Sequence, residues 1–251
     1  MDLIYIEYIF SAGFRCYSPD TLKNCGLRNF SGPFDYIFID IETVFKLINT
    51  KMELFLKDIV IYNKSEQKTY SINSLNKLNE KHVCYMAHDY NTSNLRINTN
   101  FLDDTLSGNL YEWNKICVIQ HHDIHNKEIY DIISKRCERF NKIIEDHSYK
   151  TCLFHITRIL TISDIQEYMN NMIQLKQLYS INTYVVVVVC CDNLDNVQYF
   201  KENILFIIKR VEPYDLQITQ GDKSDNNFYY ANEINIMKQY FNFQLVPLNE
   251  I

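Results

Sequence analysis

The sequence has few of the residues that let a backbone turn sharply, with five glycines and four prolines among 251 residues. It contains neither the glycine-rich fingerprint of a dinucleotide-binding fold nor that of a P-loop, so we expect neither kind of site. The eight cysteines include no Cys-x-x-Cys pair, which argues against a zinc ribbon. They are spread along the chain, and we interpret most of them as small buried apolar residues.

Basic residues are also fewer than acidic residues. There are 25 basic and 31 acidic side chains, a formal net charge of −6. Because nucleic-acid binding requires clustered Lys and Arg, we expect no nucleic-acid partner. No apolar run has the length of a membrane helix, so we expect no membrane partner either. The first residues lack the basic region of a signal peptide, which favours an intracellular, cytoplasmic protein, in the host cytoplasm if the protein is viral.

The composition is that of a folded globular protein, with 47% hydrophobic and 22% charged residues. The length suits one domain, which we place over residues 1–251, with an irregular, insertion-like region at about 50–110. Apolar strand-like segments alternate with helical patterns along most of the chain. This alternation predicts an α/β fold, a single layered domain whose mostly parallel central sheet is flanked by helices.

Periodicity and capping residues give the individual elements. Strands are predicted at 3–10, 115–120, 151–156, 184–190 and 203–209, with further possible strands at 58–62 and 82–86 and an edge strand at 245–246. Helices are predicted at about 19–25, from 41 after an Asp40 cap, at 126–146, from a Ser163 capping box to about 179, and at 226–241.

Five of the nine Gly and Pro residues, the residue types that most restrict or free the backbone, lie between Gly13 and Pro33. Cys16 sits there between a predicted strand and a helix whose start is signalled by Ser18-Pro19. The positive end of a helix lowers the pKa of a thiol, so Cys16 is a candidate nucleophile. A small buried cysteine in a turn is the alternative. A cysteine phosphatase is excluded, because the position of its phosphate-binding arginine is Leu22.

Two sequence blocks resemble the "putative papain-like cysteine peptidase" family of bacteria and large DNA viruses. The first contains Gly13-Phe-Arg-Cys16 and the stretch GLRNFSGPFDY at 26–36. The second contains His121-His122-Asp123 and the helix segment KRCERF at 135–140. The resemblance covers roughly residues 5–160. It departs from the family pattern at Phe14 and Arg15, where small polar residues are usual, and at Tyr36, where the family has Trp.

The resemblance implies a cysteine-nucleophile hydrolase that needs no cofactor and acts on a peptide or protein. Cys16 would be the nucleophile and His122 the base, with His121 as the reserve. Asp35 is the orienting carboxylate that the resemblance suggests, while Asp40 and Asp123 remain open. The candidate substrate-binding residues are Arg28, Arg136 and Arg139. The first could instead pair with Asp35, and the other two could be surface or salt-bridging residues.

Other interpretations remain open at this point. Phe14-Arg15 beside the cysteine favours a catalytically inactive family member that acts as a viral or host-interaction protein. His88-Asp89 is a rival source of the base, and the histidines at 121, 122 and 125 could hold a metal, although no further ligand is evident and we expect none. The alternating strands would also fit a carbohydrate- or nucleotide-related α/β enzyme. The sequence does not indicate the oligomeric state.

Overall fold

A computed structural model describes residues 2–13, 17–57, 59–63, 68–70, 94–98, 117–119, 124, 126–158, 162–191, 197–210 and 230–247. The helices in these ranges are α1 (Tyr17–Asn24), α2 (Ile41–Asn49), α3 (Lys127–Glu145), α4 (Ile162–Leu178) and α5 (Ala231–Met237). The strands are β1 (Ile4–Ile6), β2 (Tyr8–Ser11), β3 (Ile37–Ile39), β4 (Ile59–Asn63), β5 (Lys68–Tyr70), β6 (Asn94–Asn98), β7 (Cys117–Ile119), β8 (Thr151–Arg158), β9 (Tyr184–Cys191), β10 (Val197–Lys201), β11 (Ile204–Arg210) and β12 (Phe241–Phe243).

The main sheet has the strand order β10-β11-β9-β8-β2. Neighbouring strands from β2 to β11 are parallel, and β10 alone pairs antiparallel, as a hairpin with β11. The predicted α/β content and mostly parallel central sheet are therefore confirmed. Because β2, β8, β9 and β11 run the same way, the segments after their carboxyl ends meet at one edge of the sheet, where α/β proteins place their functional loops.

Side chains alternate between the two faces of this sheet and form two buried clusters. On one face, Leu153 and Val187 pack with residues of α2, α3 and α4. On the other face, Phe154 and Val188 pack with residues of α1 and α5. Strand β9 contributes to both clusters and is buried along almost its whole length, as its continuous apolar sequence predicts.

The long helix α3 has the predicted bounds within one residue, and the Asn126 side chain caps it by accepting from the N–H groups of Glu128 and Ile129. One of its apolar side chains, Ile132, is 45% exposed. The buried stripe consists of Ile133, Cys137, Phe140 and Ile143.

A second sheet has the order β3-β7-β6-β4-β5, and all its neighbouring strands are antiparallel. It was not predicted as a unit. The strand predicted at 58–62 is confirmed as β4, whereas β5 and β6 lie in the region that we expected to be irregular. The possible strand at 82–86 lies outside the described residues.

The two ends of the chain differ most from the prediction. The strand predicted at 3–10 is divided at Glu7, because β1 pairs with β12 whereas β2 pairs with β8. The helix predicted at 226–241 is wrong at its end, since α5 stops at Met237 and Phe241–Phe243 form β12. The strand predicted at 245–246 is also misplaced, although Gln244 and Val246 still donate backbone hydrogen bonds to Ile6 and Glu7. Aromatic residues favour strands, and pairing with β1 overrides the helical pattern.

In the described part of the chain, none of the helices has both the length and the apolar character that crossing a bilayer requires.

Candidate functional site

The turn after β2 is fixed by close packing. Gly13 has a φ of +89°, a conformation that glycine adopts without strain. It also lies against Ile39, with which a Cβ at position 13 would overlap. Helix α1 begins at Tyr17, earlier than predicted, so Ser18 is not its cap. The Ser18 hydroxyl instead donates to the Gly13 carbonyl and ties the helix to the end of the strand.

Cys16, His121 and His122 lie outside the described residues. So do Asp123, His125 and the rival pair His88-Asp89. The described flanks of Cys16 are Gly13 and Tyr17.

The structure does bring together the other four predicted site residues, around the carboxylate of Asp35. Asp35 is 1% exposed. Its Oδ2 accepts hydrogen bonds from Nη2 of Arg28 at 2.6 Å, from Nε of Arg28 at 3.1 Å and from the backbone N–H of Gly32 at 2.9 Å. Burial raises the pKa of the Asp35 carboxyl, and the Arg28 guanidinium and the Gly32 N–H act in the opposite direction. The pairing of Arg28 with Asp35, which the sequence left as an alternative, is therefore present.

Helix α3 supplies the two remaining arginines. Nη2 of Arg139 donates to the carbonyl of Ser31 at 2.7 Å, and its guanidinium lies 5.0 Å from the centre of the Phe30 ring. Burial lowers the pKa of Arg136, whose charge interacts with those of Asp35 and Arg28. Helix α3 is thereby fastened to the 28–35 turn, and the charges of Arg136 and Arg139 lie near enough to interact with that of Asp35, which only Arg28 contacts among the described bonds.

A pocket of about 190 Å³ opens beside the start of α2. Its polar lining consists of Asp40, Glu42, His155, Thr157, Tyr168 and Asn171. Ile41, Met172 and Leu175 supply the apolar lining. The pocket adjoins the turn after β2, because Gly13 packs on Ile39, the residue before Asp40, and because His155 bonds to Ala12.

His155 is a buried histidine on β8, the interior strand between β9 and β2. It is 2% exposed, and its Nδ1 lies 2.9 Å from the carbonyl oxygen of Ala12. A carbonyl only accepts, so Nδ1 carries the proton and Nε2 is left as an acceptor. Burial lowers the pKa of His155 to about 4, so the ring is neutral near neutral pH.

Asp40 is the predicted cap of α2, and the structure confirms it. Oδ1 accepts from the N–H of Thr43 at 2.9 Å, and Oδ2 accepts from the Thr43 hydroxyl at 2.6 Å. No cation forms an ion pair with Asp40 among the described residues. Burial therefore raises the pKa of Asp40 to about 7, although the bonds from Thr43 oppose this.

Tyr168 on α4 completes the polar side of the pocket. Its hydroxyl oxygen is buried and meets no partner at hydrogen-bonding geometry in the described ranges. Burial raises the pKa of Tyr168, the charge of Asp40 raises it further, and the hydroxyl of Thr157 acts in the opposite direction.

Burial makes four of the described cysteines weaker acids than an ordinary thiol. Burial raises the pKa of Cys137 to about 12 and that of Cys190 to about 11, and it also raises the pKa of Cys152 and of the half-buried Cys25. Within the described ranges, no three His, Cys, Asp or Glu side chains are grouped closely enough to hold a metal ion.

The family comparison gives one match. The model of the family described as "Putative papain-like cysteine peptidase" matches residues 7–193. The chain belongs to this family. Neither the curated proteins nor the solved structures contain a match to the chain.

The matched part of this papain-like peptidase family member runs from the start of β2 to the end of β9. It includes Cys16, both candidate histidines and the arginine cluster, as well as the pocket beside Asp40. Strand β11, helix α5 and strand β12 follow the matched residues, so the candidate site lies in the part of the chain that the family shares.

Sequence analysis missed His155 and the pocket. Cys152–Ile156 was recognised as a strand, and a histidine among apolar strand residues signals a buried polar group that needs a partner. The partner is the carbonyl of Ala12, which is 143 positions away in the sequence. That distance explains why the contact was not predicted from the local pattern.

Proposed function

We propose that this chain is a cysteine-nucleophile hydrolase that cleaves an amide bond in a peptide or protein. The observation that carries the proposal is the place of Cys16 in the sequence, directly before α1 and within the matched family region. Strand β2 ends at Ser11 and α1 begins at Tyr17, so Cys16 directly precedes the first helical residue. The unpaired N–H groups and the positive dipole end of a helix favour a thiolate at that position.

The proposed reaction has two stages. The Cys16 thiolate attacks the carbonyl carbon, and backbone N–H groups at the start of α1 stabilise the oxyanion. His122, with His121 as the reserve, takes the thiol proton and gives it to the leaving amine as the C–N bond breaks. Water then attacks the thioester, which releases the acid and restores the thiol.

In this proposal, the arginine cluster mainly organises the site. Two of the three described side-chain bonds from Arg28 fall on Oδ2 of Asp35 and the third on Oγ of Ser31, and Arg139 is committed to the carbonyl of Ser31. These contacts favour a positioning role for Asp35 in the turn. Asp35 as the carboxylate that orients the base remains a proposal, as do Asp40 and Asp123. Arg136 has the fewest described contacts of the three arginines, so it is our candidate for an anionic group of the substrate.

We also propose that the chain folds as one layered domain with helices flanking the main sheet. The two buried clusters, one on each face of that sheet, support this arrangement.

Thiol labelling across pH tests the proposed nucleophile. The protein is treated with a thiol-selective electrophile between pH 5 and 9, and the modified residue is mapped by mass spectrometry. We expect Cys16 to react near or below neutral pH, because a helix N-terminus lowers the thiol pKa. Cys25, the most exposed described cysteine, should react only at higher pH, and Cys25→Ala should leave the labelling of Cys16 unchanged. His122→Ala should remove the enhanced reactivity of Cys16.

The alternative is an inactive family member, which the bulky Phe14-Arg15 pair beside Cys16 favours. In that case Cys16 would titrate like an ordinary thiol near pKa 8.5, as expected for model thiols, and His122→Ala would change nothing.

A further inference from the structure

The pocket beside Asp40 presents hydrogen-bond acceptors and negative charge. Asp40 contributes a carboxylate that has no ion-pair partner among the described residues, and His155 contributes Nε2, since its Nδ1 is committed to Ala12. Glu42 adds a second carboxylate, which pairs with Lys46 at 2.8 Å. The described lining residues include no Lys or Arg. The Asp40 carboxylate and the His155 ring therefore face a cavity whose described lining supplies no cation.

Two further observations point to a ligand. The volume of about 190 Å³ is several times the share of one water molecule in the liquid, which is about 30 Å³. The buried Tyr168 hydroxyl interacts with the hydroxyl of Thr157 but meets no partner at full hydrogen-bonding geometry among the described residues. Buried polar groups are normally satisfied, and an unsatisfied one next to a cavity indicates that a partner enters from outside.

We propose that this pocket binds the guanidinium group of an arginine side chain in the substrate. The inference rests on the proposed peptidase function and names its substrate class. A guanidinium is permanently charged, carries five N–H donors and is weakly hydrated, which suits several separate acceptors in a partly buried site. Ile41, Met172 and Leu175 provide an apolar surface for the methylene groups of the side chain.

The position of the pocket supports a role in substrate binding. Its wall residue His155 is bonded to Ala12, and Gly13 packs against the residue before Asp40. The pocket thus adjoins the segment that leads to Cys16. A side chain held there would place its own backbone near the turn that carries the proposed nucleophile.

The binding should depend on pH. The charged and titratable groups that face Asp40 are Glu42 and Lys46 on its own helix, His155 on β8 and Tyr168 on α4. A cation binds the ionised form of Asp40 better than the protonated form, and burial places the pKa of Asp40 at about 7. The affinity should therefore increase as the pH rises through 7 and level off above it.

Calorimetric titration with a matched pair of peptides tests the proposal. The probes are acetyl-Gly-Arg-Gly-amide and the same peptide with citrulline, which keeps the shape of arginine without its charge. The Cys16→Ser protein prevents turnover during the titration. We expect the arginine peptide to bind roughly 10-fold or more tightly than the citrulline peptide, because one charge-assisted contact is worth at least that factor. Equal affinities would overturn the proposal.

The variant Asp40→Asn tests whether the preference for arginine over citrulline depends on the Asp40 charge. Asparagine is as good a helix cap as aspartate, so α2 should be kept while the charge is removed. The preference for arginine over citrulline should then disappear, together with its increase near pH 7. Asp131→Asn is the matched control, because it makes the same change at an exposed position of α3. It should leave the preference intact, and an equal loss in this control would contradict a local site.

A lysine peptide and agmatine test two other kinds of ligand, an ammonium group and a free guanidinium compound. A lysine peptide that binds more tightly than the arginine peptide would overturn the choice of guanidinium. Agmatine that binds more tightly than the arginine peptide would indicate a free small molecule and overturn the substrate assignment. None of these titrations requires a reactive thiol. If Cys16 is reactive but the arginine peptide shows no preference over the citrulline peptide, only the guanidinium-binding proposal is refuted. If the arginine peptide binds preferentially but Cys16 is unreactive, only the proposed hydrolase activity is refuted.

Discussion

Asp35 and Asp40 lie on either side of the short strand β3, and both carboxylates are buried, with exposures of 1% and 8%. Their surroundings differ. Asp35 accepts two bonds from the guanidinium of Arg28 and one from the N–H of Gly32. Asp40 accepts from the N–H and hydroxyl of Thr43 and faces a pocket.

The comparison separates two uses of a buried carboxylate. A charge that is compensated by a guanidinium and a backbone N–H fixes the shape of a turn, and it leaves little free capacity for a ligand. A charge that is held only by neutral donors carries a desolvation cost, which a cation entering the pocket would offset. The first arrangement is typical of a structural pair, and the second of a binding site.

The largest expected effect comes from breaking the compensated pair. Arg28→Ala leaves the Asp35 charge buried without its partner, and removing one member of a buried pair typically costs about 3–5 kcal/mol. We therefore expect a loss of this size in the free energy of unfolding, measured by urea denaturation at pH 7.

The control for this prediction is an exposed ion pair in the same protein. Lys51 pairs with Glu145 at 2.9 Å, and both side chains are largely exposed. Lys51→Ala should leave the free energy of unfolding almost unchanged, because solvent screens exposed pairs. If Arg28→Ala is as mild as Lys51→Ala, Asp35 and Arg28 are not a structural pair.

The next effect is a pH dependence from the uncompensated carboxylate. The pKa of Asp40 is about 7 in the folded chain and 3.8 as the ordinary value. A raised carboxyl pKa means that the folded state holds the proton more tightly, so the stabilisation is present below pH 4 and is lost as the pH rises through 7. The pKa difference corresponds to at most about 4 kcal/mol. Asp40→Asn should therefore become more stable relative to the wild type between pH 4 and 8.

The stability of Asp40→Asn must be compared with that of the wild type at each pH, because His155 changes the free energy of unfolding in the opposite direction over the same pH range. Its lowered pKa destabilises the folded chain as the pH falls from 6.5 towards 4. Both proteins contain His155, so its contribution cancels in the difference of their unfolding free energies. A difference that stays constant from pH 4 to 8 would show that Asp40 is not a strained buried acid.

The sequence predicted elements whose signals are local. Asp40 caps α2 as predicted, because a side-chain acceptor next to an apolar stripe defines a helix start without outside help. The continuous valines of β9 require burial on both faces, and the strand lies within the sheet as expected. The arginines of α3 were predicted as site residues, and the structure places Arg139 on the carbonyl of Ser31 in the turn that holds Asp35.

The features that were not predicted depend on distant partners. Phe241–Phe243 form a strand only because β1 lies beside them, and the local pattern there continues a helix. His155 is defined by the carbonyl of Ala12, and the pocket requires α2, β8 and α4 to meet at one edge of the sheet. The hydrophobic periodicity of a single segment does not indicate which distant segments it contacts.

The smallest expected effect on stability distinguishes a binding group from a structural one. Tyr168→Phe removes a buried hydroxyl that has no partner in hydrogen-bonding geometry in the described part of the chain. Such a deletion loses only the contact with the Thr157 hydroxyl, so the free energy of unfolding should change by less than about 1 kcal/mol. The affinity for the arginine peptide should nevertheless fall severalfold, because the ligand loses a partner. Loss of stability without loss of affinity would instead place the hydroxyl in the framework of α4 and contradict its assignment to the pocket.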